Sequence, residues 1–169
     1  MELLLVRHGI AEDAERPGPA ADALRGLTSA GKQRMKEAAA GLRELVPAVS
    51  CVATSPLRRS VETAKILAGA YRVEVEEVDA LAPGKDPRAL LRWLGSRRRA
   101  AGPIALVGHE PHLSSLAGLL LTGRKAPFLE LKKGGACLLE FRVAKAGTAR
   151  LEWLVTARAL RNLGDHHDR

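Results

Sequence analysis

Short uncharged runs, separated by stretches of helical spacing, constrain this chain more than any other feature. Leu3-Leu4-Leu5-Val6 is apolar at every position, and Val49 to Thr54 and Pro103 to Val107 carry no charge. A strand without a polar face is buried on both faces, as strands inside a parallel sheet are. The intervening stretches repeat apolar residues every three or four positions. Thr28 or Ser29 can cap a helix to about Leu45, with Met35, Ala38, Leu42 and Leu45 at helical spacing and Pro47 as its stop. Ser55-Pro56 offers a cap and a first helical position for a second helix, which carries Val61, Ala64, Leu67 and Ala68 and ends near Gly69. Arg72 to Val78 alternates polar and apolar residues as a third strand does. Helices are predicted over Pro87 to Arg98 and from about Pro111 to Leu121. Ala136 to Val143 and Arg150 to Thr156 read as a hairpin, while Gly9 to Gly26 is polar and rich in proline and glycine. The predicted fold is α/β: a single-domain three-layer α/β/α sandwich, mostly parallel, with a C-terminal antiparallel hairpin. The domain is expected over residues 1–160, with 161–169 as a tail.

Composition narrows the function. A chain of 169 residues fits one domain, and 46% hydrophobic with 27% charged residues is a globular profile. Lys and Arg number 27 against 19 Asp and Glu, a net charge of +8 that suggests an anionic partner. The five aromatics are scattered and form no stacking platform for single-stranded nucleic acid. Leu113 to Thr122, the longest uncharged apolar stretch, is too short to span a bilayer. The start of the chain has no signal-peptide pattern, so the cytoplasm is expected. Cys51 and Cys137 lie far apart without ligand spacing and read as small buried hydrophobes. No metal, cofactor, nucleic acid or membrane is expected as a partner.

The strand ends hold the chemistry. In parallel sheets ligands bind beyond the carboxyl ends of the strands. The first strand ends in Arg7-His8-Gly9, the second in Ser55-Pro56-Leu57-Arg58-Arg59, the fourth in Gly108-His109-Glu110. One rim thus collects two histidines and two or three arginines. Arginine offers a planar fork of donors to phosphate, and histidine can act as nucleophile or proton carrier near neutral pH. Glycines at 9 and 108 allow sharp turns beside a ligand, and two helix N-termini add positive potential. Each residue alone has an ordinary structural reading, and one of Arg58 and Arg59 is expected to be solvated. Together they describe an oxyanion site, most economically a phosphoryl site.

Leu4-Leu5-Val6-Arg7-His8-Gly9 resembles the Arg-His-Gly signature of the histidine phosphatase superfamily. That superfamily includes the cofactor-dependent phosphoglycerate mutases, acid phosphatases and SixA-type phosphohistidine phosphatases. The likeness continues at Leu27-Thr28-Ser29-Ala30-Gly31, at Thr54 to Ala64 and at Val107-Gly108-His109-Glu110, in the family's order. The resemblance implies that His8 takes the phosphoryl group and that Arg7, Arg59 and His109 bind its oxygens, with Gly9 at the phosphate. The family arginine stands four residues after Ser55, which selects Arg59 over Arg58.

Larger family members supply a proton-donating carboxylic acid from an insertion that this chain has no room for. Two spare candidates remain: Asp79 at the third strand end, which can equally cap a loop, and Glu110, which can orient His109 or cap a helix. Small size and a weak acid both resemble the SixA type, whose imidazole leaving group departs with little help. The expected activity is a phosphatase working through a phosphohistidine intermediate on phosphohistidine protein, with inorganic phosphate as product. A broad phosphomonoesterase of small phosphorylated molecules is the alternative. A non-catalytic phosphate-binding module and a nucleic-acid binder driven by net charge rank below. Arg97-Arg98-Arg99 reads as a solvated helix end, His112 as structural, and Asp165-His166-His167-Asp168 as a frayed tail.

Overall fold

A computed structural model describes residues 1–97, 101–127 and 129–164. In chain order its elements are β1 (Glu2–Arg7), α1 (Pro19–Ala23), α2 (Ser29–Leu45), β2 (Cys51–Thr54), α3 (Arg58–Tyr71), β3 (Val75–Glu77), a 3₁₀ turn (Asp79–Leu81), α4 (Pro87–Ser96), β4 (Ile104–Gly108), α5 (His112–Thr122), β5 (Ala136–Glu140), β6 (Arg150–Val155) and α6 (Ala157–Gly164). The six strands form one sheet in the order β3-β2-β4-β1-β5-β6. The first four run parallel, β5 is antiparallel to β1, and β6 is antiparallel to β5. This is the expected α/β sandwich with its C-terminal hairpin.

The apolar run of β1 explains its central place. Leu3 and Leu5 face a core with Leu90 and Leu94 of α4 and Leu116 of α5. Leu4 and Val6 face a second core with Met35 and Leu42 of α2, Leu67 of α3 and Leu160 of α6. Successive side chains on a strand point to opposite faces, so an unbroken apolar run fits only a strand covered twice. Each such leucine contributes about 1.5–3 kcal/mol of burial.

Several boundaries differ from the sequence reading. Helix α2 begins as expected, with Thr28 Oγ1 accepting from the Gly31 amide at 2.9 Å. Helix α3 starts at Arg58 without a side-chain cap and runs past Gly69 to Tyr71, where Arg72 closes it in the left-handed conformation at φ 58°. Ser55 is not its cap: the N-cap is Leu57, whose amide donates to Ser55 Oγ at 3.4 Å, while that hydroxyl also lies 2.8 Å from the His109 ring. Strand β3 is confined to three residues, and α4 ends at Ser96. Arg98, Arg99, Phe128 and the 165–169 segment with its two histidines lie outside the described residues.

Two helices escape apolar periodicity. Helix α1 has no buried residue. Helix α6 buries only Leu160, yet packs along α2 by backbone approach, and it spans the point where the sequence places the start of a tail. A Cβ on Gly41 would lie 1.7 Å from the Leu160 carbonyl oxygen. Gly41→Ala is therefore expected to push α6 off α2. Overpacking costs about 1–3 kcal/mol, and each kcal/mol moves Tm by about 2–4 °C in a domain of this size. Thermal melting should show that drop for Gly41→Ala. Gly69→Ala, where a Cβ meets nothing within 4 Å, should match wild type or exceed it. An unchanged Gly41→Ala melt would contradict the α2–α6 contact.

Candidate active site

Sheet register assembles the site. Arg7 pairs with Gly108 across the parallel β1–β4 ladder, and the His8 amide donates to the Gly108 carbonyl at 3.0 Å. The next residue on each strand is a histidine. The two rings therefore stand side by side, with centroids 5.1 Å apart and planes tilted by 55°. On the other flank of β4, Thr54 pairs with Val107 and the Ser55 amide donates to the Val107 carbonyl at 3.0 Å. Ser55 thus reaches His109, whose Nε2 lies 2.8 Å from Ser55 Oγ and 3.2 Å from Ser60 Oγ of α3.

Both histidines are buried, at 7% and 3% exposure. His8 Nδ1 is 2.7 Å from the Gly9 carbonyl, an acceptor only, so Nδ1 carries the proton and Nε2 keeps its lone pair. Burial chiefly pushes the His8 pKa down, the Gly9 carbonyl opposes this, and the charges of Arg59, Arg7 and Lys133 add to the depression, leaving it at about 4. His109 falls to about 3, again mainly through burial, with His8 and Arg59 adding to it. Both rings are neutral at pH 7.

Arg59 and Arg58 divide as the sequence suggests. The Arg59 side chain is 8% exposed and acts on His8, whereas Arg58 is 57% exposed and pairs with Glu62 at 3.1 Å. Arg7 donates through Nη1 to the Leu131 carbonyl at 2.8 Å. Its Nε and His109 Nδ1 are buried without a protein partner. Gly9 contributes space rather than a donor: its amide is used by Thr63 Oγ1 at 3.1 Å, and a Cβ there would meet the Leu27 side chain at 3.3 Å.

The two candidate proton donors lie elsewhere. Asp79 is exposed at the start of the 3₁₀ turn after β3. Glu110 accepts from the Leu131 amide at 3.1 Å and from the Ser114 hydroxyl. Among the described residues, neither forms a hydrogen bond or ion pair with His8, His109, Arg7 or Arg59. Glu110 instead fixes the Leu131 peptide, whose carbonyl holds Arg7. His112 is buried, and its pKa is lowered chiefly by that burial.

Asp22 is absent from the sequence reading. Its backbone carbonyl and Oδ2 accept from Arg59 Nη1 and Nη2 at 2.7 and 3.0 Å, and Oδ1 accepts from Arg25 at 2.8 Å. Burial raises the Asp22 pKa, but the hydrogen bonds from Arg25 and Arg59 outweigh it and leave the carboxyl below its ordinary range. The polar 9–26 segment is thereby folded over the site, its far end held by Glu62 accepting from the Leu27 amide at 2.7 Å. The i,i+3 spacing of Asp22 and Arg25 points to their own ion pair and carries no signal of Arg59.

Comparison with known proteins agrees with this fold. A family model described as the histidine phosphatase superfamily (branch 1) matches residues 3–82. An uncharacterized protein of Picosynechococcus sp. strain PCC 7002 is 38% identical over 156 residues, covering 90% of this chain and 89% of its own. The chain belongs to the histidine phosphatase superfamily. Among solved structures, the protein histidine phosphatase SixA complexed with tungstate superposes with a TM-score of 0.80 at 20% identity, over 95% of this chain and 99% of that one. A mycobacterial glucosyl-3-phosphoglycerate phosphatase in complex with VO3 gives 0.72 at 18% identity, over 92% and 99%. A histidine-to-alanine phosphoserine phosphatase from Entamoeba histolytica, in complex with phosphoserine, gives 0.68 at 18% identity, over 93% and 98%. No helix among the described residues is long and apolar enough to cross a membrane.

The buried histidines set an acid-side stability profile. Their folded pKa values, about 4 and 3, lie below the ordinary 6.5. The unfolded chain therefore takes up protons first, and stability falls as pH drops from about 6.5 toward 3, the His8 share being lost by about pH 4. Urea unfolding at pH 7 and pH 4.5 should show a smaller loss for His8→Gln than for wild type. Equal losses would contradict the burial of a neutral His8.

Proposed function

We propose that this chain hydrolyses phosphohistidine on proteins through a covalent phosphoryl intermediate on His8. Neutral His8 Nε2 attacks phosphorus in line, a P–N bond forms, and the bond from phosphorus to the leaving group breaks. The leaving imidazole takes a proton from solvent. Water then attacks the phosphoramidate, His8 is released, and inorganic phosphate departs. Arg7, Arg59 and His109 bind the equatorial oxygens, where phosphoryl transfer needs charge stabilisation. Arg59 has five N–H donors and spends two on Asp22, which leaves three for phosphate. An unpaired buried donor costs about 1–3 kcal/mol, and an oxyanion between Arg7 Nε and His109 Nδ1 would relieve that cost.

One observation carries the reading: a buried, neutral His8 whose Nδ1 is committed to Gly9, beside a second neutral histidine and a buried arginine. The choice of leaving group rests on the acid. Among the described residues, Asp22 is the carboxylate hydrogen-bonded to this group, and Arg25 and Arg59 favour its ionised form. A leaving group that departs without a strong general acid suits such a site, and a protonatable imidazole is one. A cleft beside Arg7 that Arg34, Lys132, Lys133 and Arg161 line favours a second reading, in which the substrate is a small acidic phosphomonoester.

Release of phosphate from an aryl phosphate and from a phosphohistidine protein tests the proposal. Wild type should turn over both, with the phosphohistidine protein preferred, and His8→Ala should turn over neither. Arg59→Ala should lose about 10²–10³-fold in rate, whereas Arg58→Ala should stay within about twofold. Activity retained in His8→Ala would overturn the mechanism. A crippled Arg58→Ala beside a normal Arg59→Ala would overturn the assignment of the arginine.

A further inference from the structure

Beside Arg7 and Gly9, on the side of the rim toward β5 and β6, lies a cleft of about 410 Å³. Besides Arg7, its walls carry Arg34 from α2, Lys132 and Lys133 from the loop before β5, and Arg161 from α6. Among the described residues no carboxylate lines it. Lys132 pairs with Glu130 at 2.8 Å and Arg161 with Glu37 at 3.6 Å, both glutamates standing outside the lining. Arg34 and Lys133 have no acidic partner among the described residues. By contrast, a cleft of about 640 Å³ on the outer side of the 9–26 segment includes Glu12, Asp13 and Glu15 in its lining.

The fold holds these cations together. Gly134 adopts φ +71° and donates its amide to the Arg7 and His8 carbonyls, both at 3.1 Å. A Cβ there would come within 3.2 Å of the Ala157 methyl. This tight turn carries Lys132 and Lys133 beside the end of β1, and the Lys133 charge is felt at His8. Met35 and Ala157 give the cleft an apolar floor. Five cations thus line the cleft, two of them already paired with glutamates outside it, and their summed potential attracts an anion.

We infer that this cleft is a second anion subsite, and that the substrate carries an acidic group placed to reach Arg34 and Lys132 while its phosphoryl group sits at His8. The inference rests on the phosphoryl reading of His8, since Arg7 and Gly9 belong to both places. The acidic group can be a carboxylate or phosphate of a small molecule, or an acidic side chain near a phosphorylated residue.

Calorimetric titration of the His8→Ala protein, which has no nucleophile, tests this without turnover. Phenyl phosphate and 3-carboxyphenyl phosphate differ by one carboxylate. The subsite should bind the carboxylated ester about tenfold more tightly, equivalent to about 1.4 kcal/mol, with the advantage shrinking as salt is raised. Adding Arg34→Gln and Lys132→Gln should reduce the advantage below twofold and leave phenyl phosphate binding unchanged. Phosphohistidine peptides with Glu or Gln two residues from the modified histidine distinguish the sources. A preference for the Glu peptide, abolished by the same two substitutions, would place the acidic group on a protein. A preference confined to the carboxylated ester would place it on a small molecule. Equal binding within both pairs would overturn the subsite alone. Failure to bind any of the four would overturn the subsite and the phosphoryl site together.

Discussion

The parallel pairing of Arg7 with Gly108 is the contact on which the rest of the site depends. A shift of one residue would turn His8 to the other face of the sheet and separate it from His109. The register is held by burial, because Leu3, Leu4, Leu5 and Val6 are each fully inside and divided between two cores. The same packing sets the chemistry. Histidines at the edge of a dry core titrate far below 6.5, and a neutral imidazole is the form that can attack phosphorus.

Charge is organised in layers around that pair. Arg59 is buried and shared with Asp22, so the segment above the site is tied to the residue beneath it. Arg7 is held through Leu131, which Glu110 holds in turn. The remaining excess of cations is not uniform. Arg97 pairs with Glu76 and lies over the Trp93 ring, 4.7 Å from its centroid. Arg34 and Lys133 instead gather at a cleft beside Arg7. A net charge of +8 thus resolves into a small buried set and a local cationic cleft.

Much of this was legible in the residues. Apolar runs reveal strands buried on both faces, and chemistry at strand ends follows from parallel topology. Both readings put His8, His109 and the Arg58-Arg59 pair on one rim, and the family resemblance chose Arg59 within the pair. Other features left no periodic trace. Asp22 and Arg59 stand 37 residues apart in sequence, and an ion pair across a polar loop has no spacing rule. Ser55 has the form of a helix cap, and only the sheet register reveals that His109 takes its hydroxyl. Helix α6 docks through glycine on backbone, which a pattern of apolar residues does not record. Glu110 and Asp79 have the right chemistry for acids, but Glu110 is held by Ser114 and the Leu131 amide, contacts that only the fold creates.

The covalent step on His8 is the central claim. Rapid quenching of wild type with a phosphorylated substrate, followed by peptide mass spectrometry at alkaline pH, tests it most directly. The account predicts an acid-labile phosphoryl group on the peptide containing His8, confined to that ring and absent from His8→Ala. Turnover with no label at His8, or with the label on His109, would contradict it.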